Sequence, residues 1–288
     1  MVPIEGVILG LVTAVLFSCF ALMGRSMSTG SESPLSSSFI YGAYASVFAV
    51  PLLWYGEWEF SDMSYVVILI TVIATFFYGM YDTFQFFARK HIQASQYTVM
   101  FQVLPIIVLV GSALFLNETV YVEKVGAMGL IILGNIVALS HNFRTIPRRG
   151  LAFMAITVVS VAFAYVADKA VLHHYPIGFY AFLMFVAPSA YVLGAMLVVR
   201  EPFRNVVTEF KRASWKLPII SILGVVGYFS FLLTLSKVDA SIAVTLAYTS
   251  TVLTTIGGIV ILKERDGLMR KIIGAFVVFT GVALLANL

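Results

Sequence analysis

Charge is what this sequence has least of. Only 11% of its 288 residues are Asp, Glu, Lys or Arg, where a soluble domain carries about a quarter, so a water-soluble globular protein is excluded. Cysteine occurs once, as Cys19 within an apolar run. That rules out an intramolecular disulfide framework and a cysteine metal site of the usual spacing. The four histidines, His91, His141, His173 and His174, fall between apolar runs or at their ends. No His-Glu-x-x-His is present, and the adjacent His173 and His174 make a poor chelate. There is no Walker loop for ATP and no pair of aspartates suited to a protease dyad. Basic residues exceed acidic ones, 18 to 14, but they lie in short clusters between apolar runs rather than on one face, so no nucleic-acid partner is expected. No metal, no cofactor and no enzymatic chemistry are expected.

What the sequence has is apolar length. Hydrophobic residues make up 60% of it, and its mean hydropathy is +0.98. In a window of about 19 residues, apolar runs appear at about 4–24, 36–55, 63–88, 95–116, 122–140, 150–168, 177–199, 215–235, 240–262 and 270–287. Each is near the roughly 20 residues that cross a ~30 Å hydrocarbon layer. Backbone polar groups in lipid must be satisfied within the segment, and these runs are too long and too uniformly apolar for barrel strands. An all-α membrane protein with ten transmembrane helices is therefore predicted, in contact with lipid throughout. No basic segment precedes the first run, so it is expected to remain as a helix rather than be removed as a signal. The connections are short, apart from Arg200 to Lys216. Gly126, Gly129 and Gly134, Gly257 and Gly258, and Gly274 and Gly281 are expected where helices approach closely.

The second half of the chain repeats the first. Gln93-Ala94-Ser95 through Gly111 to Leu116-Asn117-Glu118 aligns without a gap on Asp239-Ala240-Ser241 through Gly257 to Leu262-Lys263-Glu264. Lys124 to Ala127 answers Lys271 to Ala275 after a shift of one or two residues. Two five-helix repeats follow, residues 1–145 and 146–288, together forming one transmembrane domain. Because five is odd, the halves enter the membrane from opposite sides. Such inverted repeats are the recurrent build of secondary transporters, in which exchange of conformation between the halves gives alternating access.

These residues carry a resemblance to a family. The element Ala94-Ser95, Pro105 and Phe115-Leu116-Asn117-Glu118 resembles the EamA-type ten-helix permeases of the drug/metabolite transporter superfamily, and the resemblance covers essentially the whole chain. In the second copy Ala240-Ser241 and Leu262-Lys263-Glu264 match, while Thr251 replaces the proline. The first run reads Leu16-Phe17-Ser18 where many relatives have a Trp-Gly pair. The resemblance implies a permease, often an exporter, of small metabolites such as amino acids, with a cavity lined largely by the third, fourth, eighth and ninth helices. The alternatives are a flippase for a lipid or lipid precursor, and a non-transporting intramembrane enzyme or sensor. The multi-pass chain is expected in a bacterial inner membrane, as a monomer with a homodimer as the alternative.

Orientation follows from charge. With ten crossings, only Lys124, Lys169 and Lys237 lie on the side of the two termini, and all other basic residues lie opposite. The positive-inside rule then places both termini outside the cytoplasm, whereas the family resemblance implies cytoplasmic termini.

Candidate site residues are the polar groups at membrane depth. Asp82 is the one carboxylate well inside a run, seven residues before Arg89 and so about 10 Å deep at 1.5 Å per residue. An ionised acid there costs on the order of 2.5–3.5 kcal/mol and calls for a partner or a wet cavity. Asp82 is the candidate for holding a substrate ammonium or exchanging a proton, with Tyr78 (i−4) and Gln85 (i+3) on its face. In the fourth run Tyr97, Phe101 and Gln102 form a polar-aromatic wall, and Pro105 frees a backbone carbonyl near Phe101. Tyr248 in the ninth run and Tyr228 in the eighth complete the set. Asp168 and Lys169 are expected as a solvated pair at the membrane interface, and Trp54, Trp58 and Trp215 as interfacial anchors.

Overall fold

A computed structural model describes residues 2–28, 31, 33–92, 97, 100–139, 147–254 and 268–287, and these contain helices but no strand. The helices are α1 (Ile4–Ser28), α2 (Pro34–Ala49), α3 (Tyr65–His91), α4 (Leu104–Phe115), α5 (Val122–Leu139), α6 (Arg148–Val171), α7 (Ile177–Val198), α8 (Phe203–Ala213), α9 (Lys216–Lys237), α10 (Ala240–Tyr248) and α11 (Leu268–Ala286). Among the described residues seven segments are long and apolar enough to cross a membrane, built on α1, α2, α3, α6, α7, α9 and α11, while α4 and Ala240–Thr254 are shorter apolar pieces. Gln93 to Gln96, Leu262-Lys263-Glu264, Gly257 and Gly258 fall outside the described residues.

Eleven helices are found among the described residues, one more than the ten runs expected to cross the membrane. The addition is α8, in the stretch expected to be a bare connection. Phe203, Val206, Val207 and Phe210 recur at i, i+3, i+4 and i+7 among charged residues, the pattern of an amphipathic surface helix. A window as long as a membrane crossing averages that pattern away.

Ile4, Ile8, Val12 and Val15 are exposed along one stripe of α1, as are Tyr65, Ile68, Leu69, Val72, Ile73 and Phe76 on α3. Apolar surface on that scale is stable only against lipid or another apolar face. Trp54, Trp58 and Trp215 are exposed near helix ends.

The most extensive packing pairs α3 with α6, α5 with α11, α1 with α9, and α2 with α7. Each pair joins one half of the chain to the other. Close approach of α5 and α11 depends on glycine: a Cβ on Gly134 would lie 2.7 Å from the Gly274 carbonyl oxygen, and one on Gly281 would lie 2.9 Å from that of Ala127. Gly126 and Gly129, expected at contacts too, meet nothing within 4 Å.

Carboxylates tie α8 to the N-terminus of α2, where unpaired N–H groups favour negative charge. Glu209 accepts from the Ser33 backbone N–H (3.3 Å), Ser37 Oγ (3.0 Å) and Arg212 Nη2 (2.6 Å). Ser33 and Ser36 hydroxyls and the Asn205 amide donate to Glu201. Burial pushes the Glu201 carboxyl up, but the Asn205, Ser33 and Ser36 hydrogen bonds outweigh it and hold the group below its ordinary range.

Candidate functional site

Helices α3, α4, α5, α6, α7, α9 and α10 bring polar side chains together in two adjoining groups. The first centres on Asp168. Its run was read as ending at residue 168, but α6 continues to Val171, which carries the carboxylate inside the helix and buries it fully. Tyr78 Oη on α3 donates to Oδ2 at 2.5 Å, Tyr228 Oη on α9 to Oδ2 at 3.0 Å, and Tyr180 Oη on α7 to Oδ1 at 2.7 Å. The solvated Asp168–Lys169 pair is therefore corrected. Lys169 turns away and donates to the carbonyl oxygens of Leu235 (2.6 Å) and Val238 (2.8 Å), which the end of α9 leaves unpaired. Aromatic rings wrap the Asp168 group: Tyr78 and Tyr228 meet edge to face at 5.6 Å, and Phe185 meets Tyr228 at 5.5 Å.

The second group lies around Asp82, which retains some exposure inside the bundle. Gln85 Nε2 donates to Asp82 Oδ1 at 3.0 Å, while Gln85 Oε1 is buried with no hydrogen-bond partner. Tyr78 does not turn to Asp82 despite its i−4 position, because its hydroxyl belongs to Asp168. Two turns along α3, the Arg89 guanidinium lies 5.0 Å from the Tyr97 ring centre and 6.0 Å from that of Phe86. Among the described residues no carboxylate lies within ion-pair distance of Arg89. Tyr41, Tyr81 and Tyr97 lie within electrostatic reach of both Asp82 and Arg89.

The two repeat-related segments meet beside this group. Phe101 stacks on Tyr248 with centroids 5.6 Å apart and planes at 10°, Tyr97 adjoins Phe101 at 5.1 Å, and Tyr81 reaches Phe101 from α3 at 6.5 Å. Gln102 Nε2 donates to Thr251 Oγ1 at 2.8 Å. Asn135 Nδ2 of α5 donates to Gln102 Oε1 (3.0 Å) and to the Tyr248 carbonyl (3.2 Å). Both segments are interrupted at the same repeat position. A turn at Gln102 and Val103 precedes Pro105, and a turn at Thr249 precedes Thr251. Thus the second copy breaks without the proline, and Asn135 satisfies a carbonyl freed at the break.

Of the residues expected from sequence, Tyr97, Phe101, Gln102 and Tyr248 form one contact chain, Tyr78 and Tyr228 join Asp168, and Asp82 and Gln85 pair on α3. Sequence reasoning missed Asp168, Tyr180, Arg89 and Asn135. A signal existed for Asp168: it stands one turn after Tyr165 in an apolar run that only a short window closes early. Among the described residues no three His, Cys, Asp or Glu side chains converge to hold a metal.

Comparison with known proteins bears on this arrangement. The EamA-like transporter family matches residues 4–140 and again 148–287. The chain belongs to the EamA-like transporter family. This EamA-like chain is accordingly an integral, multi-pass membrane transporter of the drug/metabolite superfamily. A solved crystal structure resembles it with a TM-score of 0.73 at 16% identity, over 99% of this chain and 98% of the other, which speaks to the fold alone. No curated protein matches it in sequence.

Proposed function

We propose that this EamA-like chain is a secondary permease that exports a small zwitterionic metabolite, such as an amino acid or a related compound, by alternating access. The observation that carries the reading is the meeting of the two interrupted segments, Phe101 on Tyr248 and Gln102 on Thr251, beside partly exposed Asp82 and Arg89. Interrupted helices at the junction of repeats are the usual binding region of such carriers. Asp82 offers a carboxylate for an ammonium, Arg89 a guanidinium for a carboxylate, and Tyr81, Tyr97, Phe101 and Tyr248 an aromatic surface between them. Asp82 is also the candidate for proton exchange.

The reading includes ten crossings arranged as inverted repeats, residues 1–145 and 146–288. Packing supports it. Exchange of the halves turns the α1–α9 pair into α6–α3, and maps α2–α7 and α5–α11 onto themselves. The termini are placed outside the cytoplasm by charge, in a bacterial inner membrane, with the protein acting as a monomer. A flippase, the alternative, would need an opening between helices toward lipid.

The test compares metabolites inside and outside cells carrying wild type or Asp82→Asn. The variant keeps shape and most hydrogen bonding, so it should insert and fold normally while the change in metabolite distribution made by wild type disappears. Normal export by Asp82→Asn at every pH would refute the role given to the charge. A folded wild type that shifts no metabolite would refute the transport reading.

A further inference from the structure

Asp168 is used by nothing in the reading above. The titratable groups that face it are Tyr78 from α3, Tyr180 from α7, Tyr228 from α9 and, on its own helix, Tyr165 one turn back. Lys169, the next residue, spends its ammonium on the carbonyls of Leu235 and Val238. Among the described residues no Lys, Arg or His comes within ion-pair distance of Asp168. A carboxylate buried at membrane depth with neutral hydroxyls as its only partners is an uncompensated charge. Asp168 and Tyr180 have no solvent exposure, so the cation that compensates it must be very small.

We propose that Asp168 is a reversible proton-binding site, and that its occupancy sets how tightly α3, α6, α7 and α9 are held together. In the ionised state one carboxylate accepts three hydroxyls from three helices, each bond strengthened by the charge. Proton binding, with the proton drawn from water and returned to it, makes the group a neutral acceptor and turns one oxygen into a donor. That oxygen then needs an acceptor of its own, so a tyrosine hydroxyl bonded to it must rotate and the four-helix junction loosens. Tyr165 lies within electrostatic reach of both Asp168 and Asp82, which places this junction next to the proposed substrate site. Only the use made of the proton rests on the transport reading.

The test uses the full chain in lipid nanodiscs with no solute added, followed by infrared difference spectra through a pH titration. The C=O stretch of protonated carboxyl in wild type should contain a component that persists in Asp82→Asn and is lost in Asp168→Asn. In Tyr228→Phe, which keeps the ring and so the packing, its titration midpoint should move to higher pH, because one donor to the ionised form is gone. For the junction, Ala164→Cys is made in a Cys19→Ser background, since Ala164 is fully buried one turn from Asp168. Adding Asp168→Asn, which mimics the protonated state, should speed maleimide alkylation of that cysteine several-fold at fixed pH. A carboxyl band with no component lost in Asp168→Asn, an unmoved midpoint in folded Tyr228→Phe, or unchanged alkylation would each overturn the proposal. Neither measurement needs a transported solute, so failure here leaves the transport reading standing.

Discussion

Glu118 offers a quantitative test of how the two repeats hold each other. It closes the first copy of the repeated element, yet it serves the first residues of the second: the Ala240 backbone N–H donates to Oε1 at 2.5 Å and Ser241 Oγ donates to Oε2 at 2.9 Å. Asp239, at the N-cap of α10, makes no side-chain capping bond, since its carboxylate pairs with buried Lys124 at 2.7 Å. Glu118 therefore caps α10 from the connection between α4 and α5. In Glu118→Ala the lost cap costs about 1 kcal/mol. The lost charge-assisted bond to fully buried Ser241 costs about 2 kcal/mol more. The ~3–5 kcal/mol of an orphaned buried cation is not added, because Lys124 lies 3.6 Å from Glu118 and retains Asp239 and the Thr119 carbonyl. The expected loss is about 3 kcal/mol. Glu118→Gln keeps an acceptor and should lose about 1 kcal/mol. Reversible unfolding in mixed detergent micelles, followed by tryptophan fluorescence, measures both. An alanine variant within about 0.5 kcal/mol of wild type, or a glutamine variant as damaged as alanine, would refute the reasoning.

Two further outcomes are expected. A reporter fused after Leu288 should register the non-cytoplasmic side and one inserted in α8 the cytoplasm, and cytoplasmic labelling of the C-terminus would show that the charge split misorients this fold. Tyr248→Ala should weaken substrate binding about tenfold, equivalent to ~1.4 kcal/mol, with stability falling by less than the ~3–5 kcal/mol of deleting a fully buried aromatic side chain, since Tyr248 is half-buried. Binding by titration calorimetry and unfolding in detergent separate the two effects, and a large stability loss with intact affinity would make Tyr248 a packing residue.

The sequence by itself determined the material of this protein. Low charge and long apolar runs dictate helices in lipid, because hydrocarbon leaves backbone groups no partner outside their own segment. The gapless match of Gln93–Glu118 to Asp239–Glu264 made the repeat visible, and with it the meeting of Phe101 and Gln102 with the second copy's Tyr248 and Thr251 was within reach. What the tertiary structure alone decided is which polar groups are partnered. Tyr78 shares a helical face with Asp82, yet donates to Asp168, 90 residues away. Asp168 and Lys169 look alike as a charged pair at a run's end, yet one is buried under three tyrosines and the other turns to the end of α9. Thr251 lacks the proline of its counterpart, yet its segment breaks at the same place, where Asn135 of another helix accommodates the break. Local periodicity fixes the face on which a side chain lies. Its partner depends on which helices pack against that face and at what height, and that is settled only when all of them are assembled.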